Sequence, residues 1–353
     1  MYLLPEPAVA KVLRGLDRSQ ALLFLRTLDQ ALVTVTAQHD LSSEEKLVHQ
    51  PLRTAITTKE QNLSLFMPVS NTSSTGIKIV TASKSHGIIG VINVFSPEGK
   101  LLGLLSAAEI TAFRTALTVM SLLFRVQKIR RERIVILGSG RQAEWHARLA
   151  LLLCPGEVKK ISFVNRGRKR LEELERDVVS DLKTTYPDVE FSMLAKDGTD
   201  EEEYEGRLRD EISAADVIFS CTPSTEPNFP FSYLEASQHS RFISLIGSYR
   251  PHMQEIDSET LLSGGGMVYV DSREACLEES GELIKAGLEG EQLVELGELY
   301  QPERLGGDGT FEVPEGKNVV MKVVGMGIMD LVTGNRLLEV GRERALGMEV
   351  DGF

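Results

Sequence analysis

The first part of the chain changes from a helical to a strand-like pattern of apolar positions. From Glu6 to Gln38, apolar residues recur at intervals of three and four, which predicts two helices, each with one buried face, broken near Gly15–Ser19. Up to about Gly103, the short apolar runs LSLFMPV, TGIKIVTA, GIIGVINVFS and KLLGLLS are separated by Ser, Gly and Pro, and they predict the strands of a small sheet. The uninterrupted apolar spacing of Ala107–Lys128 then predicts a long helix.

From Arg130 onward, strand-like and helix-like segments alternate. In RRERIVILGSGRQAEWHARLALLL, apolar residues, a glycine-rich turn and an amphipathic segment follow one another. The rhythm continues through KKISFVNR, EFSML, ADVIFSCT, RFISLIGS and MVYVD, with charged helical segments between several of them. This alternation predicts an α/β fold with a doubly wound parallel sheet. A helical stretch at Glu274–Gly287, a glycine-rich loop at Leu305–Gly309 and a final segment Val319–Phe353 follow.

The glycine-rich turn directly follows the predicted strand Ile134–Leu137 and directly precedes a helix. Its residues fit the dinucleotide-binding pattern G-x-G-x-x-G/A, and they are Gly138, Ser139, Gly140, Arg141, Gln142 and Ala143. In such a turn the first glycine allows a tight bend, the second lets the backbone approach a pyrophosphate, and the small third residue allows close packing of helix and strand. The N–H groups of the helix N-terminus favour phosphate. The sequence therefore predicts a dinucleotide site here.

The residue at the end of the second strand indicates which dinucleotide is bound. An acid there binds the ribose 2′-hydroxyl of NAD and repels a 2′-phosphate, but this strand ends in Asn165, which Arg166 follows. A neutral amide beside a guanidinium can hold a 2′-phosphate by charge-assisted hydrogen bonds. The pattern therefore predicts NADP(H) in preference to NAD(H). The nearby Lys169 and Arg170 are interpreted as the solvated face of a helix.

Length, charge and cysteine content narrow the class of protein. The 353 residues fit two domains, and 51 acidic against 39 basic residues give a formal charge of −12, which argues against nucleic acid or a membrane as partner. Three scattered cysteines form neither a disulfide framework nor a CxxC pair, and the six histidines show no metal-ligand spacing. The N-terminus lacks a signal-peptide pattern. The expectation is a soluble cytoplasmic protein with metal-free chemistry.

Motifs along nearly the whole chain, in the same order, resemble the ornithine cyclodeaminase/mu-crystallin family. They are Phe66-Met67-Pro68, Gly76-Ile77-Lys78, Ile110 to Ala116 (ITAFRTA), LGSGRQA, Cys221 to Pro227 (CTPSTEP), Ile246-Gly247-Ser248, Arg250-Pro251 to Glu255-Ile256-Asp257, and Val324-Gly325 through Asp330. The resemblance implies enzymes that bind NAD or NADP and act on small amino acids or their imines.

The resemblance also implies the architecture. It implies a Rossmann domain over residues 130–314 and a discontinuous α+β domain, residues 1–129 with 315–353, that binds substrate and forms a homodimer. The substrate is expected between the two domains, where the nicotinamide would project.

Three basic residues match family positions, Arg53 in PLRTAI, Lys78 in GIKIV and Arg114 in TAFRTA. An imino acid carries a carboxylate that Arg53 and Arg114 could clamp, while Lys78 could orient or protonate the reacting nitrogen. Lys78 and Arg114 are therefore the predicted catalytic residues, and Arg53 and Val324 are further substrate contacts. The resemblance adds cofactor contacts to those of the glycine-rich turn, at Arg114, Thr222, Pro223, Gly247 and Ser248.

One departure from the family decides between its activities. Cyclodeaminases of the family carry an aspartate where this chain has Ser248, and a serine cannot act as a carboxylate base at neutral pH. A second departure, Val323 in place of serine, favours a more apolar substrate. The prediction is an NADP(H)-dependent reductase of the C=N bond of a small α-imino acid. The alternatives are an ornithine cyclodeaminase or amino-acid dehydrogenase, and a mu-crystallin-like NADP-dependent binding protein without catalysis.

Overall fold

The computed structural model describes the chain except residues 84–86, 238, 302–303, 306–308, 315 and 353. The strands are β1 Tyr2–Leu4, β2 Val48–His49, β3 Thr54–Thr57, β4 Leu63–Asn71, β5 Thr75–Ser83, β6 Gly87–Phe95, β7 Leu101–Ser106, β8 Val126–Gln127, β9 Arg133–Leu137, β10 Lys160–Asn165, β11 Glu190–Ala195, β12 Val217–Ser220, β13 Phe242–Leu245, β14 Val268–Val270, β15 Leu293–Glu295, β16 Phe311–Glu312, β17 Val319–Lys322 and β18 Met348–Glu349. The α-helices are α1 Glu6–Arg14, α2 Arg18–Ala37, α3 Ala107–Arg125, α4 Arg141–Leu153, α5 Arg168–Leu174, α6 Ser180–Thr185, α7 Glu201–Ala214, α8 Ser232–Glu235, α9 Ser258–Leu262, α10 Arg273–Glu279, α11 Gly281–Lys285, α12 Leu296–Leu299 and α13 Gly327–Glu343.

The chain divides into two compact units. Unit 1 contains residues 1–114 and 325–353, and unit 2 contains residues 115–324. One boundary therefore falls within α3 and the other just after β17, whereas the family resemblance implied domain boundaries at 129/130 and 314/315. The domain assignment itself stays a prediction.

Unit 1 is built on an eight-stranded sheet with the order β18-β1-β7-β6-β5-β4-β2, in which β3 also pairs with β4. Only the β1–β7 pair is parallel among its described strand pairs. The helix α13 packs on one face, and two glycines allow it to approach. A Cβ at Gly76 would lie 2.8 Å from Leu331 Cδ1, and a Cβ at Gly103 would lie 2.5 Å from Leu338 Cδ2. Bulkier residues at these positions would force the helix away from the sheet.

Unit 2 contains the predicted doubly wound parallel sheet. Its strand order is β11-β10-β9-β12-β13-β17-β14-β15, and every described pair is parallel. Buried strand residues such as Val135, Ile218, Ile243 and Val320 form a continuous core with the covering helices. Near-continuous apolar runs are what a sheet covered on both faces requires. The α/β fold class is confirmed.

The individual elements follow the sequence pattern closely. The two N-terminal helices are separated at residues 15–17, and Asp17 caps the second by accepting a hydrogen bond from Gln20 N. The charged helical segment predicted between KKISFVNR and EFSML consists of α5 and α6 with a π-helical segment, Glu175–Val179, between them. Parts of the predicted loop at Leu305–Gly309 lie outside the described residues.

Helix α3 has the length and the apolar composition of a membrane span, the one such helix in the described part of the chain. In its apolar window, however, 83% of the residues are buried inside the protein. Burial of this extent is typical of a core helix, because a lipid-facing helix would keep its apolar side chains on the surface.

Candidate active site and nucleotide site

Unit 1 buries two cations around a single carboxylate. Lys78 on β5 donates to Asp330 Oδ2 of α13 over 2.7 Å, and Arg114 Nε of α3 donates to Asp330 Oδ1 over 3.1 Å. The exposed fractions of the three side chains are 2% for Lys78, 4% for Arg114 and 2% for Asp330. Lys78 Nζ also lies 3.4 Å from Thr111 Oγ1. The predicted catalytic residues Lys78 and Arg114 are therefore brought together, and Asp330 joins them.

The placement of Lys78 follows from the alternation of β5. Gly76, Lys78 and Val80 point to the face that α13 covers, so that a lysine occupies a position where burial would favour an apolar residue. Its neighbours on the adjacent strands are Met67 and Ile92, both buried. A buried ammonium is costly unless it is paired. Its presence in the core of this face is therefore a sign of function rather than of packing.

Burial lowers the pKa of Lys78 to about 8. The positive charges of Arg114 and Arg53 lower this pKa further, while the charge of Asp330 and its hydrogen bond raise it. The structure therefore brings Arg53 close enough to act on Lys78 through its charge. An amine with a pKa near neutrality can exchange a proton at physiological pH, which an exposed lysine does poorly.

The backbone after β17 is shaped around Arg114. Gly325 has a φ of +91°, in the region that favours glycine. A Cβ there would lie 2.5 Å from Arg114 Nη2. On the same guanidinium, Nη1 lies 3.5 Å from Met329 Sδ. Gly325 is therefore required by the position of Arg114, a role that the sequence analysis did not assign to it.

The glycine-rich turn of unit 2 has the geometry that a pyrophosphate requires. Gly138 has a φ of +128°, and a Cβ at Gly140 would meet nothing within 4 Å. Gly140 is the N-cap of α4, and none of the described side chains caps this helix start. The buried Oε1 of Gln142 has no hydrogen-bond partner among the described residues. The turn therefore presents uncapped N–H groups beside open space, which fits a phosphate group.

The end of β10 carries the residues that bear on the choice of cofactor. Asn165 Nδ2 donates to Gly167 O over 3.0 Å, and Arg166 is exposed to solvent. Arg168 donates to Asp197 O over 3.1 Å and to Thr199 Oγ1 over 3.2 Å. The acid Asp197, which the sequence analysis did not identify, lies beside this turn, because its Oδ2 would be 3.7 Å from a Cβ at Gly167.

A second buried cluster lies at the carboxyl ends of β12, β13 and β17. Glu255 accepts hydrogen bonds from Gly247 N over 2.7 Å and from Ser248 N over 3.0 Å. Ser248 Oγ donates to the carboxylate of Glu282 over 2.7 Å. Lys322 Nζ donates to Ser248 O over 2.7 Å and to Ser248 Oγ, and it lies 3.4 Å from Glu282 Oε1. The predicted cofactor contact Ser248 therefore has its N–H, carbonyl and hydroxyl groups engaged within the protein.

Burial raises the pKa of Glu255 to about 7, and the charge of Glu282 acts in the same direction. The charge of Lys322 and the hydrogen bonds from Ser220 and Ser248 lower this pKa again. One ammonium thus faces two carboxylates in a site that excludes water. With a pKa raised to about 7, Glu255 is the carboxyl of this cluster that titrates near neutral pH.

The remaining predicted contacts lie on the loops that follow the strands. The loop of Thr222 and Pro223 passes Gly247 so closely that a Cβ there would lie 2.3 Å from Thr222 O. Val324 is half-buried, and its N–H donates to Asp271 Oδ1 over 3.2 Å. The roles of these residues and of Ser248 toward cofactor or substrate stay predictions.

His146 Nδ1 lies 3.8 Å from Cys221 Sγ, but the protonation states of the two side chains do not make them a nucleophilic pair. The Nδ1 of His146 lies 2.7 Å from Gln142 O, and burial lowers its pKa to about 4, so that the ring is neutral at pH 7. Burial raises the pKa of the Cys221 thiol. The thiol therefore stays protonated, and the structure gives no sign of a reactive cysteine here. Among the described residues, no three His, Cys, Asp or Glu side chains could together hold a metal ion.

The doubly wound parallel sheet and its glycine-rich turn define a Rossmann-type protein with a second, mixed α/β unit. The chain belongs to the ornithine cyclodeaminase/mu-crystallin family, whose model matches residues 20–345. It is 28% identical over 323 residues to the ketimine reductase mu-crystallin of Macropus fuliginosus, covering 88% of this chain and 89% of that protein.

Two solved structures share the fold. The Δ1-pyrroline-2-carboxylate reductase of Thermococcus litoralis, in complex with NADH and L-proline, is similar with a TM-score of 0.79 and 19% identity, covering 99% of this chain and 100% of that one. An archaeal alanine dehydrogenase dimer with bound NAD is similar with a TM-score of 0.76 and 16% identity, covering 100% of this chain and 99% of that one.

Proposed function

We propose that the protein is a pyridine-nucleotide-dependent reductase of the C=N bond of a small α-imino acid. The observation that carries the proposal is the buried cluster of Lys78, Arg114 and Asp330, which combines a carboxylate-binding guanidinium with an ammonium whose pKa is about 8. The names of the similar proteins support it, since they are a ketimine reductase and a pyrroline-2-carboxylate reductase.

In this proposal each side chain has one task. Arg114 and Arg53 bind the carboxylate of the substrate, and a planar guanidinium suits that group because it offers paired N–H donors. Lys78 gives a proton to the imine nitrogen as the carbon is reduced. The turn of Gly138–Gln142 would hold a nicotinamide nucleotide, which would supply the hydride. Ser248 offers no carboxylate at the position that cyclodeaminases use, so reduction is favoured over cyclodeamination.

The test is the oxidation of NADPH and NADH by the purified protein with a panel of imines. The panel contains pyrroline-2-carboxylate, piperideine-2-carboxylate and pyruvate with methylamine, and ornithine with NADP+ or NAD+ tests the cyclodeaminase alternative. Lys78→Met should lower kcat by about 10²- to 10⁴-fold, the usual contribution of a general acid. Lys183→Met, on the exposed surface of α6, is the matched control. Tight nucleotide binding without turnover of any imine would favour the binding-protein alternative.

We further propose that NADP(H) is the preferred nucleotide. Asn165 and the exposed Arg166 support this preference, because neither repels a 2′-phosphate. Arg166→Ala should raise the KM for NADPH while leaving the KM for NADH unchanged. Turnover with NADH at a KM well below that for NADPH would contradict the proposal.

A cytoplasmic location also stays a prediction.

We propose that the protein forms a homodimer through the face of the unit 1 sheet that lies opposite α13. The face opposite α13 carries Ile89 and Val91 of β6, with exposed fractions of 56% and 37%, beside Ile77 and Ile79 of β5. A contiguous apolar face of this kind is rare on a monomer. The similar archaeal alanine dehydrogenase is a dimer.

Light scattering coupled to size exclusion tests the dimer. The wild-type protein should elute at twice the mass of the 39.0 kDa chain. The double variant Ile89→Asp/Val91→Asp should elute as a monomer, because it would bury four charges in a symmetric interface. Ile284→Asp, an equally exposed apolar residue in unit 2, should stay dimeric. A wild-type protein that elutes at the mass of one chain would refute the proposal.

A further inference from the structure

We propose that Asp330 is the positioning residue of the active site: it keeps Lys78 charged and aimed as the proton donor, and it orients Arg114 toward the substrate carboxylate. This inference rests on the proposed function. It assigns a task to an acid that touches neither carbon nor nitrogen of the substrate in that proposal.

Each carboxylate oxygen of Asp330 binds one of the two cations. Oδ2 accepts from Lys78 Nζ and Oδ1 accepts from Arg114 Nε, so a single carboxylate fixes both groups relative to each other. Because Asp330 accepts from Nε, it fixes the orientation of the guanidinium plane relative to Lys78. A rigid α-helix carries the acid, as Asp330 is the fourth residue of α13. A clamp on a packed helix holds its geometry better than one on a loop.

The hydrogen bonds of Lys78 leave one direction open. An ammonium has three N–H groups, and those toward Asp330 and Thr111 account for two of them. Among the described residues, the third N–H has no partner. It is the one that could point at an imine nitrogen. When that proton moves to the nitrogen, the N–H bond of Lys78 breaks and a neutral amine remains, which takes a proton from solvent before the next turnover.

Asp330 is also the negative charge that offsets the rest of the site. The charged groups acting on Lys78 are Asp330 on α13, Arg114 on α3 and Arg53 before β3, while its sheet neighbours Met67 and Ile92 are apolar. Two of these three charges favour the neutral amine, as burial does. Of these three charges, that of the carboxylate favours the protonated donor, so its removal should release the proton at a lower pH.

Removal of the Asp330 charge should lower the pKa of Lys78 enough to change its protonation at physiological pH. Loss of an opposite charge in contact lowers the pKa of a buried group by about 1–3 units. A fall of about two units, from about 8 to about 6, would reduce the protonated fraction of Lys78 at pH 7.5 by about 25-fold. Reduction should therefore fail at alkaline pH and recover at acidic pH, a pattern that simple loss of folded protein would not produce.

The experiment compares the pH profiles of kcat/KM for Asp330→Asn, Asp330→Glu and wild type with the best imine. In wild type, kcat/KM should fall above a pH of about 8. In Asp330→Asn, this alkaline limb of the pH profile should begin at least one pH unit lower. Asp330→Glu keeps the charge but displaces it, so its limb should stay near the wild-type pH while kcat falls. Asp29→Asn, which neutralises a buried acid on α2, should leave the limb in place.

A second readout does not depend on turnover. In protein labelled with ¹³C at the lysine ε-carbons, the signal lost in Lys78→Arg identifies Lys78, and its titration gives the pKa directly. If this titration moves down in Asp330→Asn but wild type reduces no imine, the positioning of Lys78 stands and the proposed function fails. If wild type reduces imines and neither the titration nor the pH limb moves in Asp330→Asn, the assignment of Asp330 is overturned.

Discussion

Replacement of Glu255 by glutamine should remove a pH dependence of stability that the buried cluster at Ser248 creates. The carboxylate is fully buried, with a pKa raised to about 7 from an ordinary 4.5. Above pH 4.5 the unfolded chain releases this proton readily, whereas the folded chain retains it until about pH 7. Rising pH therefore favours the unfolded state, and the folded protein loses stability through this window.

The magnitude follows from the two pKa values. The full shift corresponds to about 3 kcal/mol, of which about 2 kcal/mol is lost between pH 5.5 and pH 8. Glutamine can keep two hydrogen bonds of the site, because its carbonyl oxygen can accept from Gly247 N and Ser248 N, while its amide can replace the bond that Ser220 Oγ donates to Glu255 by one donated to Ser220 Oγ. The variant has no charge to bury and should not show this loss.

The assay is denaturant unfolding of wild type and Glu255→Gln at pH 5.5, 6.5, 7.5 and 8. The difference between the two proteins is the informative quantity, because groups that titrate equally in both cancel. We expect Glu255→Gln to gain about 2 kcal/mol relative to wild type between the lowest and highest pH. Glu339→Gln, at an exposed position of α13, should show a constant difference. Parallel curves for wild type and Glu255→Gln would refute the reasoning.

Three other predictions concern close approaches and charge. Gly247→Ala would place a Cβ 2.3 Å from Thr222 O, so NADPH affinity measured by fluorescence should fall at least tenfold, whereas Gly206→Ala, with nothing within 4 Å, should leave it unchanged. Gly76→Ala should cost about 1–3 kcal/mol of unfolding free energy, because Asn93 O lies 2.9 Å from the new Cβ. Asp197→Asn should lower the KM for NADPH roughly two- to fivefold by removing a negative charge beside Gly167, while the exposed Asp188→Asn should have no effect.

The sequence reveals those features that depend on neighbours in the chain. The parallel sheet, the turn at Gly138 and the long α3 are confirmed, because apolar periodicity and turn residues are local signals. The split of the charged helix by the π-helical segment Glu175–Val179 was not predicted, since no local composition distinguishes that register.

Contacts between distant segments have no such signal. Lys78 and Asp330 lie 252 residues apart, and only the fold shows that they share a hydrogen bond. Motif resemblance identified Lys78 and Arg114 as candidate catalytic residues, but it gave Asp330 no role. A lysine at an inward position of an amphipathic strand is a signal that could have prompted a search for a buried acid, because such a charge requires a partner. Only the tertiary structure identifies that acid as Asp330.

The cluster around Ser248 shows how a single departure from a family pattern is tied to its surroundings. From the sequence, Ser248 is a predicted cofactor contact and represents the loss of a catalytic base. In the structure its hydroxyl lies between Glu282 and Lys322, with Glu255 bound to the adjacent N–H groups. A carboxylate at the position of Ser248 Oγ would be a third acid beside one ammonium, in a site where Glu255 already has a raised pKa. A neutral residue at this position therefore matches the charge of its neighbours, and the same burial that makes an acid costly here makes the hydroxyl a stable hydrogen-bond donor.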